Sequence, residues 1–156
     1  KKKIRMNNYK YIIVKTFGNK TNDFLKCLLI RRKVFIEEQC ISEDIEVDDH
    51  DQHSYHYLLL VNQSDEKQIP VATGRWRITE KGIKLERLAV LKDYRNMGYG
   101  KHILDNILSD TMVFNKTIYL HSQETAVNFY LKNGFKIEGE PFLEANIKHY
   151  KMVFKS

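Results

Sequence analysis

The segment Arg95-Asn96-Met97-Gly98-Tyr99-Gly100 carries the clearest chemical content in this chain. It joins a run with few strand breakers, Ile83 to Leu91, to a helix-periodic run in which Ile103, Leu104, Ile107 and Leu108 share one face. A turn that opens a helix presents backbone N–H groups without intrahelical partners, at the positive end of the helix dipole. Glycines at alternate positions let a bulky anion approach those groups without meeting a Cβ. The segment is therefore shaped for phosphate. Two familiar phosphate motifs are excluded. The spacing R-x-x-G-x-G is not the dinucleotide fingerprint GxGxxG, and Gly100-Lys101 is followed by His102 where a P-loop needs Ser or Thr.

The elements that position this turn follow from patterning. Tyr9 to Phe17 is β-branched and aromatic and predicts a first strand. Thr21-Asn22-Asp23 offers N-cap chemistry for a helix through Phe24, Leu25, Leu28 and Leu29, with Arg31 to Cys40 continuing it or ending irregularly. Strands are expected at Tyr55–Val61, Ile69–Thr79, Ile83–Leu91, Thr117–His121, Phe135–Glu138 and Ile147–Phe154. A polar hairpin loop is expected at Asn62–Gln68, and a second helix at Gln123–Asn133. Pro70 falls near a strand start, where a lost donor matters least. The order β-α-β-β-β-α-β-α-β-β implies an α/β (α+β) fold, a mixed sheet flanked by helices, with residues 1–156 forming one domain.

Composition narrows the function classes. The formal charge is +6, but Lys1, Lys2, Lys3 and Arg5 account for four of those charges, leaving +2 for the remainder. Residues 1–8 read as a flexible basic tail, and the other basic residues are interspersed with acids, so no nucleic-acid partner is expected. No apolar run reaches the roughly 18 residues of a membrane span. Cys27 and Cys40 make neither a metal spacing nor a disulfide framework, which points to a reducing, cytoplasmic setting. Residues 43–56, EDIEVDDHDQHSYH, gather acids and histidines. Their spacing matches neither an EF-hand nor HExxH, so a solvated or internally hydrogen-bonded connection is preferred, a role beside the acceptor pocket is the alternative, and no metal is expected.

Strand, R-x-x-G-x-G turn and helix together resemble the acyl-CoA-binding motif of the GNAT superfamily of N-acyltransferases. AVNFYLKNGFK resembles that family's second motif, A-x-x-F-Y-x-x-x-G-F. The combination of RRKVFIEEQ, the E-V-D-D loop, ATGRWR, LERLAVLKDYR, HSQ and EANIKHYKM resembles the ElaA-like branch more narrowly. The resemblance implies a sheet splayed between the strand before the turn and the next strand, with acetyl-CoA as co-substrate entering the gap. It also implies acetyl transfer to a primary amine in a ternary complex. A small-molecule amine is the expected acceptor, and the protein is expected to be a monomer or homodimer. The alternative is a catalytically idle acyl-CoA-binding sensor or interaction module.

Acyl transfer requires deprotonating the amine, stabilising the carbonyl oxygen and protonating the leaving thiolate. The resemblance assigns coenzyme A contacts to Leu88, Ala89 and Val90, whose backbone pairs with the pantetheine arm, and to Arg95, Asn96, Met97, Gly98, Tyr99, Gly100 and Lys101, where Arg95 adds charge. It makes Tyr130 the general acid, or else an aromatic packing residue. Glu86 is a candidate base, on the same strand face as Leu88 and Val90 unless a bulge intervenes, with a pKa that burial would raise. A salt bridge to Arg75, Arg77 or Arg87 is the competing role. His121 closes a strand at the cleft and suits a proton relay or a structural hydrogen bond. Gln123 stands where many relatives carry Asn, and His149 falls in the terminal strand. Glu46, Asp48 and Asp49 are expected near the cleft, where free carboxylates would favour a cationic acceptor.

Overall fold

The computed structural model describes residues 10–64 and 67–155. The basic tail, Tyr9 and the hairpin positions Asp65 and Glu66 lie outside the described residues. In chain order the elements are β1 (Tyr11–Phe17), α1 (Asn22–Arg31), a π-helical continuation (Arg32–Glu38), α2 (Glu43–Glu46), β2 (Tyr55–Ser64), β3 (Lys67–Thr79) and β4 (Gly82–Val90). There follow α3 (Tyr99–Thr111), β5 (Ile118–Gln123), α4 (Val127–Lys132), β6 (Phe135–Ile137), β7 (Phe142–Glu144) and β8 (Ile147–Phe154). The strands form one mixed sheet ordered β1-β2-β3-β4-β5-β8-β6, with β7 also pairing β8. This is the expected α/β architecture of a central sheet flanked by helices.

Local chemistry explains the boundaries. Thr21 caps α1, its hydroxyl accepting the Phe24 N–H at 3.1 Å. Pro70 lies inside β3, not near its start. It is accommodated because the β2–β3 register slips beside it, between the pairs Leu59↔Ala72 and Leu60↔Pro70, so Val71 is an extra residue. Short β7 was hidden behind Gly139-Glu140-Pro141. It is turned back into β8 by Ala145 and Asn146, both at positive φ (51° and 59°), as a two-residue hairpin loop requires.

Apolar residues fill both faces. Tyr57, Leu59, Trp76, Ile83 and Leu85 pack with Ile103, Leu104 and Ile107 of α3 on one face. Cys27, Ile30, Val34 and Phe35 pack with Leu58, Leu60 and Ala89 on the other. Two irregularities matter for the site. First, β4 and β5, the parallel pair, are in register only over Ile83–Leu85 and Ile118–Leu120, then diverge. Second, Thr73↔Ala89 and Arg75↔Glu86 leave Arg87 and Leu88 opposite Gly74 alone, with Arg87 at φ 59°. That bulge inverts the alternation of β4. Ile83 and Leu85 share the α3 face with Leu88 and Val90, whereas Glu86 falls on the face that carries Ala89. The expectation that Glu86 shares a face with Leu88 and Val90 is thereby corrected.

Candidate active site

The divergence of β4 from β5 opens a cleft of about 1100 Å³. Its lining unites segments far apart in sequence: Phe35 and Gln39 after α1, Glu46 and Asp48, the whole Leu85–Val90 stretch, the turn before α3, His121 to Gln123, Tyr130, and Glu144 with His149.

At one end stands the glycine turn. Gly98 caps α3 in the left-handed region (φ 84°, ψ 5°), and its carbonyl accepts the His102 N–H at 3.0 Å. Helix geometry leaves the N–H groups of Gly100 and Lys101 without intrahelical acceptors. A Cβ on Gly100 would lie 3.5 Å from Val90 Cγ2 and 3.8 Å from Phe129 Cζ, so the glycine borders the cleft with little spare width. Arg95, Asn96, Gly98, Tyr99, Gly100 and Lys101 line the cleft; Met97 is 41% exposed and stands outside the lining. Arg95 adds less free charge than expected. Its guanidinium NH2 meets both oxygens of Glu38 at 2.9 and 3.0 Å, and its Nε donates to the Val90 carbonyl at 3.0 Å. Lys101 pairs with Asp105 at 2.7 Å. An opening gap in the sheet, a narrow glycine and a helix N-terminus together fit a long ligand that carries a pyrophosphate within it, such as coenzyme A.

Glu86 is 8% exposed and accepts from Arg77 Nε at 2.6 Å and Arg75 NH2 at 3.1 Å, with Lys84 Nζ 3.5 Å away. Burial alone would raise its pKa, but Arg75, Arg77 and Lys84 outweigh burial and hold it at about 2. The expectation of a raised pKa is reversed, because the polar wall around Glu86 is cationic. A carboxylate so stabilised is a poor proton acceptor near neutral pH.

The acidic connection lies against the cleft, but its carboxylates are engaged. Arg31, 1% exposed, binds Glu46 Oε1 at 2.9 Å and Asp51 Oδ1 at 2.7 Å. Arg87 holds Glu46 Oε2 at 3.0 Å and Asp48 Oδ2 at 3.1 Å. Arg75 takes Asp48 at 2.8 Å and Asp51 at 2.7 Å. Burial pushes the Glu46 carboxyl up against the pull of Arg87 and Arg31, yet both its oxygens face guanidinium groups. Asp49 is exposed and absent from the lining. The expected cluster of free carboxylates is instead a neutralised network.

On the β5 side, His121 Nδ1 lies 3.4 Å from Glu144 Oε1, and the Phe142 ring meets its imidazole edge-on at 4.9 Å. His149 Nδ1 hydrogen-bonds the Ile147 carbonyl at 2.7 Å, and its Nε2 is 3.6 Å from Glu144 Oε2. The His121 hydrogen bond is the largest influence on Glu144 and keeps its carboxyl below the ordinary range. If Nδ1–H of His121 is donated to Glu144, Nε2 is left as the proton acceptor. Glu144 was not foreseen, since its strand pairs only through the short hairpin. Gln123 Nε2 donates to Gln39 Oε1 at 2.7 Å, bridging residues on either side of the cleft. Tyr130 of α4 packs edge-on against Phe129 and Phe135, and desolvation raises its phenol pKa, which keeps the hydroxyl protonated while making it a weaker acid. Among the described residues, no group of three or more His, Cys, Asp or Glu side chains is arranged to hold a metal, and no helix is long and apolar enough to cross a membrane.

Residues 29–156 match the family model described as an acetyltransferase (GNAT) domain. The uncharacterized Bacillus subtilis protein YyaT is 40% identical over 134 residues, covering 84% of this chain and 88% of that protein. A Pseudomonas aeruginosa acyl-CoA N-acyltransferase superposes with a TM-score of 0.79 at 20% identity, covering 94% of this chain and all of its own. Escherichia coli ElaA superposes with a TM-score of 0.78 at 22% identity, covering 92% of this chain and 99% of its own. At these identities both structures speak to the fold.

Proposed function

Because this chain belongs to the GNAT acetyltransferase family, we propose that it transfers an acetyl group from acetyl-CoA to a primary amine, directly, within a ternary complex. The observation that carries this reading is the single cleft. It brings the phosphate-shaped turn, the diverging backbone of β4, Tyr130 and His121 to one space. Bound there, acetyl-CoA would supply the activated carbonyl and a thiol leaving group. The turn from Arg95 to Lys101 would hold the pyrophosphate through backbone N–H groups, and Leu88 to Val90 would run beside the pantetheine arm. His121, with Nδ1 directed to Glu144, takes the proton that the acceptor amine loses. Tyr130, protonated at neutral pH, gives a proton to the departing sulfur. One C–N bond forms and one C–S bond breaks, giving free thiol and amide, and the proton held by His121 returns to the Tyr130 phenolate through solvent to restore both residues.

Glu86 has a different part in this scheme: it anchors Arg75, Arg77 and Lys84 and supports the β4 bulge. Placement near the ElaA-like branch rests on the sequence segments quoted above, since ElaA and the Pseudomonas enzyme are equally similar in fold. The test is thiol release from acetyl-CoA with a mixed panel of primary amines, alongside calorimetry of coenzyme A binding. Amine-dependent thiol release supports the enzyme. Tight coenzyme A binding with no release for any amine would instead favour an acyl-CoA-binding module without turnover.

A further inference from the structure

Three cations converge on the Glu86 carboxylate: Arg75, Arg77 and Lys84. Arg75 has Asp48 and Asp51 as further partners. Arg77 and Lys84 have Glu86 alone as an ion-pair partner among the described residues. They face each other across β3 and β4 and both line the cleft. At 18% and 14% exposure, their charge is only partly solvated and acts through a medium less polar than water. Of the nearby carboxylates, Glu46 is held by Arg31 and Arg87 and Asp48 by Arg75 and Arg87, while Glu144 contacts the two histidines and is reached by the field of Lys84 without an ion pair to it. A shared counterion leaves hydrogen-bonding capacity on Arg77 and Lys84 for another anion.

Register places this cation pair relative to the proposed base. Lys84 is opposite Tyr119 in the parallel β4–β5 pair, and His121 lies two residues along β5 on the face of Tyr119. With strands about 4.8 Å apart and about 3.3 Å of rise per residue, the Cα atoms of Lys84 and His121 are separated by roughly 8 Å or more. Side chains reaching inward from such a span suit a molecule of amino-acid size.

We propose that the acceptor is a small primary amine bearing an anionic group, a carboxylate or phosphate, which Arg77 and Lys84 hold while the amine faces His121. The inference rests on the acyltransferase reading and narrows it to a substrate class, opposite in sign to the cationic acceptor suggested by the acidic loop.

The experiment measures thiol release from acetyl-CoA with matched acceptors: glycine and glycinamide, β-alanine and its amide, 4-aminobutyrate and its amide, 2-aminoethyl phosphate and ethanolamine. Butylamine and spermidine represent neutral-tailed and polycationic amines. In at least one pair the anionic member should show a kcat/KM about 10–100-fold higher, the worth of hydrogen bonds to a charged group. The phosphate pair set against the carboxylate pairs identifies the anion. In Lys84→Gln and Arg77→Gln, each first checked for folding by coenzyme A calorimetry, that preference should collapse toward one through a rise in KM. The inference is overturned if uncharged-tailed or polycationic amines match or exceed the anionic ones throughout, or if both variants keep the preference. Coenzyme A binding without turnover of any amine would overturn the acyltransferase reading, and this inference with it.

Discussion

Replacing Glu86 by Gln separates a proton-accepting role from an anchoring one. Glu86 is 8% exposed and its pKa falls from 4.5 to about 2 on folding. A depression of that size corresponds to about 3 kcal/mol of stability contributed by the ionised form. Because the folded-state pKa is the lower one, this contribution is complete above pH 4.5 and is lost as the pH falls toward 2. Gln keeps the shape but not the charge, leaving Arg77 and Lys84 without their shared counterion. At pH 7 the variant should therefore be about 3 kcal/mol less stable, and its melting temperature lower by about 6–12 °C for a chain of this length. The deficit should narrow as both proteins are taken below pH 4.5. Urea titrations at pH 7 and at pH 3 measure it directly. In the same preparations, the pH–rate profile of the folded variant should keep the wild-type shape, as the proposal that His121 rather than Glu86 accepts the amine proton requires. A variant as stable as wild type at pH 7 that shows impaired turnover at lower pH and recovery at higher pH would refute this reasoning and make Glu86 the base.

Gly100→Val should weaken coenzyme A binding about tenfold or more, the worth of one or two hydrogen bonds to a charged phosphate. The chain should still fold, because a Cβ at Gly100 meets neighbours only at 3.5 Å and beyond; calorimetry on the folded variant decides it. Tyr130→Phe should lower turnover by about 10²–10⁴-fold while leaving coenzyme A affinity nearly intact, since the phenol proton is needed only as the sulfur departs. Unaltered turnover, with chemistry rate-limiting, would make Tyr130 a packing residue. Cys40 is exposed, whereas Cys27 is fully buried with burial pushing its thiol up to about 11. A thiol reagent at pH 8 should therefore label one cysteine rapidly and the other only on unfolding; equal labelling rates would contradict that burial.

Most of the element order and the glycine turn that opens α3 were legible in the sequence because both are local. Helical periodicity at Ile103, Leu104, Ile107 and Leu108 and glycines at 98 and 100 act within a few residues of themselves. The quoted motifs likewise led to the splayed sheet. What only the tertiary structure decided depends on phase and on distant partners. One bulge residue, Arg87 at φ 59°, turns Glu86 to the opposite face from Leu88 and Val90, because a period of two inverts with a single inserted position. Carboxylates of the acidic connection were expected to meet a cationic acceptor, yet Glu46, Asp48 and Asp51 are claimed by Arg31, Arg75 and Arg87, between 15 and 41 residues away for the pairs Arg31–Glu46, Arg75–Asp48 and Arg87–Glu46. Glu144 reaches His121 across 23 residues through a three-residue strand too short to show any periodicity. Sequence carries the identity of each charge. Which charges are neutralised, and which remain to meet a substrate, is set by pairings that exist only after the chain has closed on itself.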